Sequence, residues 1–186
     1  MLATSGIRNI MKQGSQEFLL EHLVIEKSIE QSLMFHNGLC NLVTLEINSC
    51  WKLKTLKVLS ELKQLRRLVL RDCPLLQLEK VDNGDGSPLP PFLSSLVVYG
   101  CHRMLFLDLL QLKCPSLFTE LKIMDCKQLM NISGLGNLTI LETLAIIQCP
   151  QLLQLGLLPI VPDCVVISGC PRLKVWCEMH SIEPHD

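Results

Sequence analysis

LETLAIIQCPQLLQL, residues Leu141 to Leu155, places aliphatic side chains at Leu141, Leu144, Ile146, Leu152 and Leu155, with Cys149 between the third and the fourth. Leu144 and Ile146 alternate as in a strand with one buried face, and Cys149-Pro150 turns the chain. A strand this short cannot bury its apolar side alone. The same frame recurs at Phe118, Leu121, Ile123, Cys126, Leu129 and Ile132, and again at Leu42, Leu45, Ile47, Cys50, Leu53 and Leu56. That is leucine-rich-repeat spacing, with cysteine at the position open to asparagine or cysteine. The frame predicts a curved solenoid: a parallel sheet on the concave face, and an irregular convex side with few short helices.

Outward from this unit, the frame reaches most of the chain. Leu20, Leu23, Ile25 and Ser28 form a first unit with serine in the cysteine's place, and Cys50, Cys73, Cys101, Cys126, Cys149 and Cys170 follow. The intervals from Ser28 onward are 22, 23, 28, 25, 23 and 21 residues. Strands are expected near 20–25, 42–47, 65–70, 93–98, 118–123, 141–146 and 162–167. The expected organisation is a poorly fixed leader over 1–17, about seven irregular repeats over 18–180, and a tail over 181–186. The longest interval holds a turn-rich excursion from Asp82 to Ser87, followed by Pro88, Pro90 and Pro91. Lys57 to Lys63 suits a short helical turn with Leu59 and Leu62 inward. Gly156, Pro159 and Pro162 disfavour a helix in the last interval. Trp176 has an inward phase and is expected to close the stack. The first unit shows no polar cap, so its edge is expected to be open toward a missing amino-terminal neighbour.

Composition narrows the function. Hydrophobic residues make up 48% of the chain but aromatic residues only 4%, which fits a thin aliphatic core. The formal net charge is -1, so no nucleic-acid partner is expected. The recurrent phase of Cys50, Cys73, Cys101, Cys126, Cys149 and Cys170 points to packing rather than crosslinking, and reduced thiols point to a cytosolic or nuclear compartment, of which the cytoplasm is the expected location. The first residues lack a signal-peptide core, and no run is long and apolar enough to span a bilayer, so no membrane partner is expected. Gly134-Leu135-Gly136 lacks the lysine and hydroxyl residue of a phosphate loop. Cys170, Cys177 and His180 lack paired metal-ligand spacing, and the histidines are scattered. The expectation is a binding protein, not an enzyme, with no cofactor and no metal.

Between the inward residues lie three displayed columns. They run His22, Thr44, Arg67, Ser95, Glu120, Thr143, Cys164; then Val24, Glu46, Val69, Val97, Lys122, Ala145, Val166; then Glu26, Asn48, Arg71, Tyr99, Met124, Ile147, Ser168. Arg67, Arg71 and Tyr99, with Arg66 adjacent, form a basic and aromatic patch suited to a partner carboxylate. Glu120, Lys122 and Met124 extend the candidate protein-binding face.

LETLAIIQCPQLLQL and LFTELKIMDCKQLMNI resemble the irregular carboxy-terminal repeats of plant intracellular nucleotide-binding leucine-rich-repeat disease resistance proteins. The ending VVISGCPRLKVWCEMH resembles the way such receptors close their last repeat, and Cys73-Pro74, Cys149-Pro150 and Cys170-Pro171 are shared turns. The resemblance implies a role in plant defence and innate immunity, through recognition of a pathogen effector or a guarded host protein. It also implies contact with an amino-terminal nucleotide-binding domain, whose phosphate loop this sequence lacks. The alternatives are the substrate-recognition repeats of a ubiquitin-ligase adaptor and a structural repeat fragment with no partner.

Overall fold

A computed structural model describes residues 7–10, 20–35, 39–57, 59–78, 89–110, 112–156, 158 and 162–179. The excursion over 82–87, most of the leader, His180 and the tail over 181–186 lie outside the described residues. The strands in chain order are β1 (Ile7–Ile10), β2 (His22–Glu26), β3 (Ser32–Met34), β4 (Thr44–Asn48), β5 (Thr55–Lys57) and β6 (Arg67–Arg71). They continue as β7 (Ser95–Tyr99), β8 (Phe106–Asp108), β9 (Glu120–Met124), β10 (Asn131–Ser133), β11 (Thr143–Ile147) and β12 (Cys164–Ser168), and helix α1 (Lys174–Met179) follows.

The order β1-β2-β4-β6-β7-β9-β11-β12 makes one eight-stranded sheet. From β2 to β12 every pairing is parallel, which is the leucine-rich-repeat solenoid that the spacing predicts. Each strand begins about two residues later than expected. Leu42, Leu65 and Leu93 are buried as the frame requires, but the ladder starts only after a bend. At that bend one carbonyl accepts from two successive amides, as when Val43 N and Thr44 N both donate to Glu21 O at 2.7 and 2.9 Å.

The turn after each strand explains how a short repeat closes. Lys27, Ser49, Asp72, Gly100, Asp125, Gln148 and Gly169 all have φ between 50° and 65°. This left-handed step aims the amide at the next strand's end: Ser49 N donates to Arg71 O at 2.9 Å, Asp72 N to Tyr99 O at 2.9 Å and Asp125 N to Ile147 O at 2.9 Å. The cysteine that follows turns inward. Its thiol donates to the carbonyl two residues earlier, at 3.3 Å from Cys73 Sγ to Arg71 O and 3.5 Å from Cys126 Sγ to Met124 O. It also approaches the preceding repeat, as in Cys170 Sγ to Ile146 O at 3.7 Å. Such bonds are weak individually, and burial of the small apolar side chain contributes more.

All six phase cysteines are buried and free, and burial pushes the Cys101 thiol up to about 12. In the stacked pair the two thiols act on each other, so that Cys73 lowers Cys50 and is itself raised, with burial adding to its rise. Cys50 is fully buried, so this yields no accessible nucleophile.

Inward columns such as Leu45, Leu68, Leu96, Leu121 and Leu144 are fully buried and form one continuous core. The return side differs from the expectation in detail. Single 3-10 turns occur there, including Leu59–Glu61 with Leu59 and Leu62 buried, alongside two short parallel strand pairs, β3 with β5 and β8 with β10. The ends also differ. β1 lies antiparallel on β2, from Ile7 opposite Ile25 to Ile10 opposite His22, so backbone pairing covers an edge expected to be open. At the other end Trp176, on α1, is buried and its Nε1 donates to Gly156 O at 2.6 Å. Among the described residues, no helix is long and apolar enough to cross a membrane.

Candidate functional site

The sheet register brings the displayed residues together as columns. Arg67, Ser95, Glu120 and Thr143 are neighbours in one column, and Arg71, Tyr99, Met124 and Ile147 in another. The middle column is less exposed than alternation implies: Val69 is fully buried and Val97 and Ala145 nearly so. Small or branched side chains there sit between columns of longer residues, which shield them. Ser95 is also buried, at 7% exposure.

Ser95 is the residue that sequence reasoning missed, and it links the predicted ones. Adjacent strands are about 4.8 Å apart, so Arg67 and Glu120, two strands apart, meet only because arginine is long and serine short. Arg67 Nη1 donates to Ser95 Oγ at 2.7 Å and also reaches Glu120 Oε2, and Ser95 Oγ donates to the same carboxylate oxygen. Lys122 Nζ holds the other oxygen, Oε1. A signal was present in the sequence: Arg, Ser and Glu occupy one phase in three successive repeats.

Burial alone would raise the Glu120 pKa, but hydrogen bonds from Lys122, Ser95 and Arg67 outweigh it and hold the carboxyl at about 2. A carboxyl lowered on folding stabilises the protein above its unfolded value of about 4.3, and that contribution fades as pH falls toward the folded value. Wild type is therefore expected to lose stability between about pH 5 and pH 2 more steeply than Glu120→Gln. Because Arg67 and Lys122 are each more than a third exposed, the difference is discounted to about 1 kcal/mol. Urea midpoints of both proteins at pH 7 and pH 3 measure it, and parallel pH profiles would reject the network.

Two sets of contacts define the expected basic and aromatic patch of Arg67, Arg71 and Tyr99, with Arg66 adjacent. Arg66 turns away, its guanidinium 5.5 Å from the Phe92 ring centroid and bonded to Lys63 O at 3.2 Å. Arg67 and Arg71 already hold carboxylates of this chain, since Arg71 Nη1 lies 3.3 Å from Glu46 Oε2. What faces solvent is a set of partly exposed, pre-positioned cations beside Tyr99, which is 40% exposed. Met124 and Ile147, both half-buried, continue an apolar step from Tyr99.

No protein-family model, curated protein or solved structure matches the chain. Fold and geometry therefore carry the reading. Among the described residues, no group of three histidine, cysteine, aspartate or glutamate side chains is arranged to hold a metal ion. The concave cluster offers charge, hydrogen-bond donors and an aromatic surface, which are means of recognition.

Proposed function

We propose that the chain is a protein-recognition module that binds its partner on the concave face from Arg67 to Met124. The observation that carries this reading is the Arg67–Ser95–Glu120–Lys122 network, which fixes two cations on strands β6 and β9 next to the exposed Tyr99. Fixed donors lose little conformational freedom on binding, and tyrosine supplies rigid amphipathic area. The partner surface that suits them combines a carboxylate with an apolar side chain. The resemblance of the repeats to those of plant intracellular immune receptors supports a cytoplasmic sensor of a pathogen effector or guarded host protein, acting in defence.

Arg71→Glu combined with Tyr99→Ala tests the face better than any change at Arg67. Reversing Arg67 sets two carboxylates together over Ser95 and would confuse folding with binding. Wild type and the double variant, immobilised in parallel, are compared for proteins captured from plant extract. At least one protein is expected to be enriched by wild type and lost, by about tenfold or more, from the folded variant. Identical capture profiles would remove this face. Sequencing the full transcript tests the receptor assignment separately, because a coding region for a nucleotide-binding domain upstream is its expected result.

A further inference from the structure

On the flank that descends from the cysteine turns, apolar side chains are displayed where solvent-facing repeats ordinarily place polar ones. Leu105, Met130 and Leu153 hold the same position, four residues after Cys101, Cys126 and Cys149, and are 38%, 39% and 46% exposed. Backbone bonds stack them as consecutive rungs: Met130 N donates to Leu105 O at 2.9 Å, and Leu153 N to Met130 O at 3.1 Å. Phe106, 57% exposed, stands beside the first rung, and Leu110 is also exposed.

The charge in the upper part of this flank, next to the cysteine turns, is basic. At the first, second, fourth and fifth positions after each of Cys50, Cys73, Cys101, Cys126, Cys149 and Cys170 there is no aspartate or glutamate. The same positions contain Lys52, Lys54, Arg103, Lys127, Arg172 and Lys174. The whole chain has Asp+Glu 18 against Lys+Arg 17, so acidic residues are absent from these positions without being scarce overall. Asp125 lies before its cysteine, across the turn, and pairs with His102 at 3.8 Å. Asp108, lower on the flank, accepts from Ser133 Oγ at 2.8 Å and from Leu110 N at 3.0 Å.

We infer that this flank is a second docking surface, separate from the concave face, and that it takes an acidic amphipathic helix of a partner protein. Spacing selects the helix. An α-helix presents one apolar side chain per turn of about 5.4 Å, and the rungs recur at about 4.8 Å, so three rungs and three turns stay within roughly 1 Å. An extended strand presents same-face side chains every 6.8 Å or so and would be out of step by about 4 Å over the same distance. Charge selects an acidic partner, since carboxylates beside the helix's apolar stripe would meet Arg103 and Lys127. Relief selects a protein over a lipid surface. Two depressions of about 440 and 370 Å³ lie along the flank, the first lined by Leu105 and Phe106 with Asp108 at its lower side, and the second by Leu110 and Leu155 among polar residues such as Gln154. Projecting side chains fill such depressions, and a flat headgroup layer does not.

Fluorescein-labelled helical peptides provide the probe: a panel with leucine, methionine or phenylalanine along one stripe and glutamate on both sides, plus versions with lysine replacing the glutamate. Binding is followed by anisotropy, alongside sedimentation with phosphatidylserine-containing vesicles. At least one acidic peptide is expected to bind saturably and its lysine version at least tenfold more weakly. Leu105→Ser/Leu153→Ser and Arg103→Glu/Lys127→Glu should each weaken that peptide tenfold or more, and Tyr99→Ala should leave it unchanged. These substitutions change exposed side chains, and circular dichroism melts confirm that the variants fold. The inference is overturned if no acidic peptide binds, if binding survives both double variants, or if the flank variants abolish vesicle binding while leaving peptide binding intact.

Discussion

Leu144→Ala is expected to destabilise the protein by about 2 to 5 kcal/mol in a urea titration. Leu144 is fully buried on β11, opposite Leu121 of β9 and Val165 of β12. Removing its isobutyl group loses apolar burial and leaves a cavity flanked by two repeats. The sheet cannot close around that cavity, because the ladders on both sides fix the strand spacing. In a solenoid each repeat is supported mainly by its neighbours, so a defect at an interior strand weakens two interfaces at once. Thr143→Ala, one residue away on the displayed side, is expected to change stability by under about 0.5 kcal/mol. A Leu144→Ala loss as small as that would mean the inward column does not carry the fold.

That column was legible because inward positions admit few side chains. Leucine, isoleucine, valine and cysteine recur there, and the cysteine phase alone fixes which residues of different repeats are equivalent. The displayed columns follow from the same phase, and the register reproduces them residue for residue. The strand starts were misplaced because Leu42 and Leu65 are apolar and buried while their backbones lie before the bend. Apolar pattern reports burial and does not report hydrogen bonding. The left-handed step before Ser28 and each phase cysteine was hidden for a different reason: lysine, serine, aspartate, glycine and glutamine all occupy it. Its conformation is imposed by the pairing on either side, so local preference leaves no uniform mark. The candidate site was half legible. Arg67, Arg71, Tyr99, Glu120, Lys122 and Met124 do share one face, but which charges neutralise one another depends on side-chain reach across Ser95. The pairing of Ile7–Ile10 with β2 left no periodic signal, being a single short strand outside the repeat frame.

Two glycines with positive φ separate the cost of conformation from the cost of collision. Gly100 has φ 65° and Gly134 φ 89°, so alanine at either must adopt the left-handed region at about 1 kcal/mol. At Gly100 the nearest neighbour of an added Cβ is Asp72 Oδ1 at 2.8 Å, the end of a side chain that can rotate, with no other atom nearer than 3.4 Å. Ser49, Asp72, Asp125 and Gln148 carry side chains at the equivalent step of other repeats, so Gly100→Ala should cost little beyond conformation. At Gly134 the added Cβ would lie 2.5 Å from Leu110 N and 2.7 Å from Leu109 C, which are backbone atoms of the preceding repeat. They cannot withdraw without straining the bonds from Leu109 N to Ser133 O at 2.9 Å and from Leu112 N to Leu109 O at 3.1 Å. Overpacking of this kind adds about 1 to 3 kcal/mol, so Gly134→Ala is expected to lose about 2 to 4 kcal/mol in all. Urea titrations of the two variants side by side isolate the difference, since the conformational cost is common to both. Equal losses would mean that β10 and the turn after it stand further from β8 than the structure places them, and the close packing of the return side would have to be abandoned.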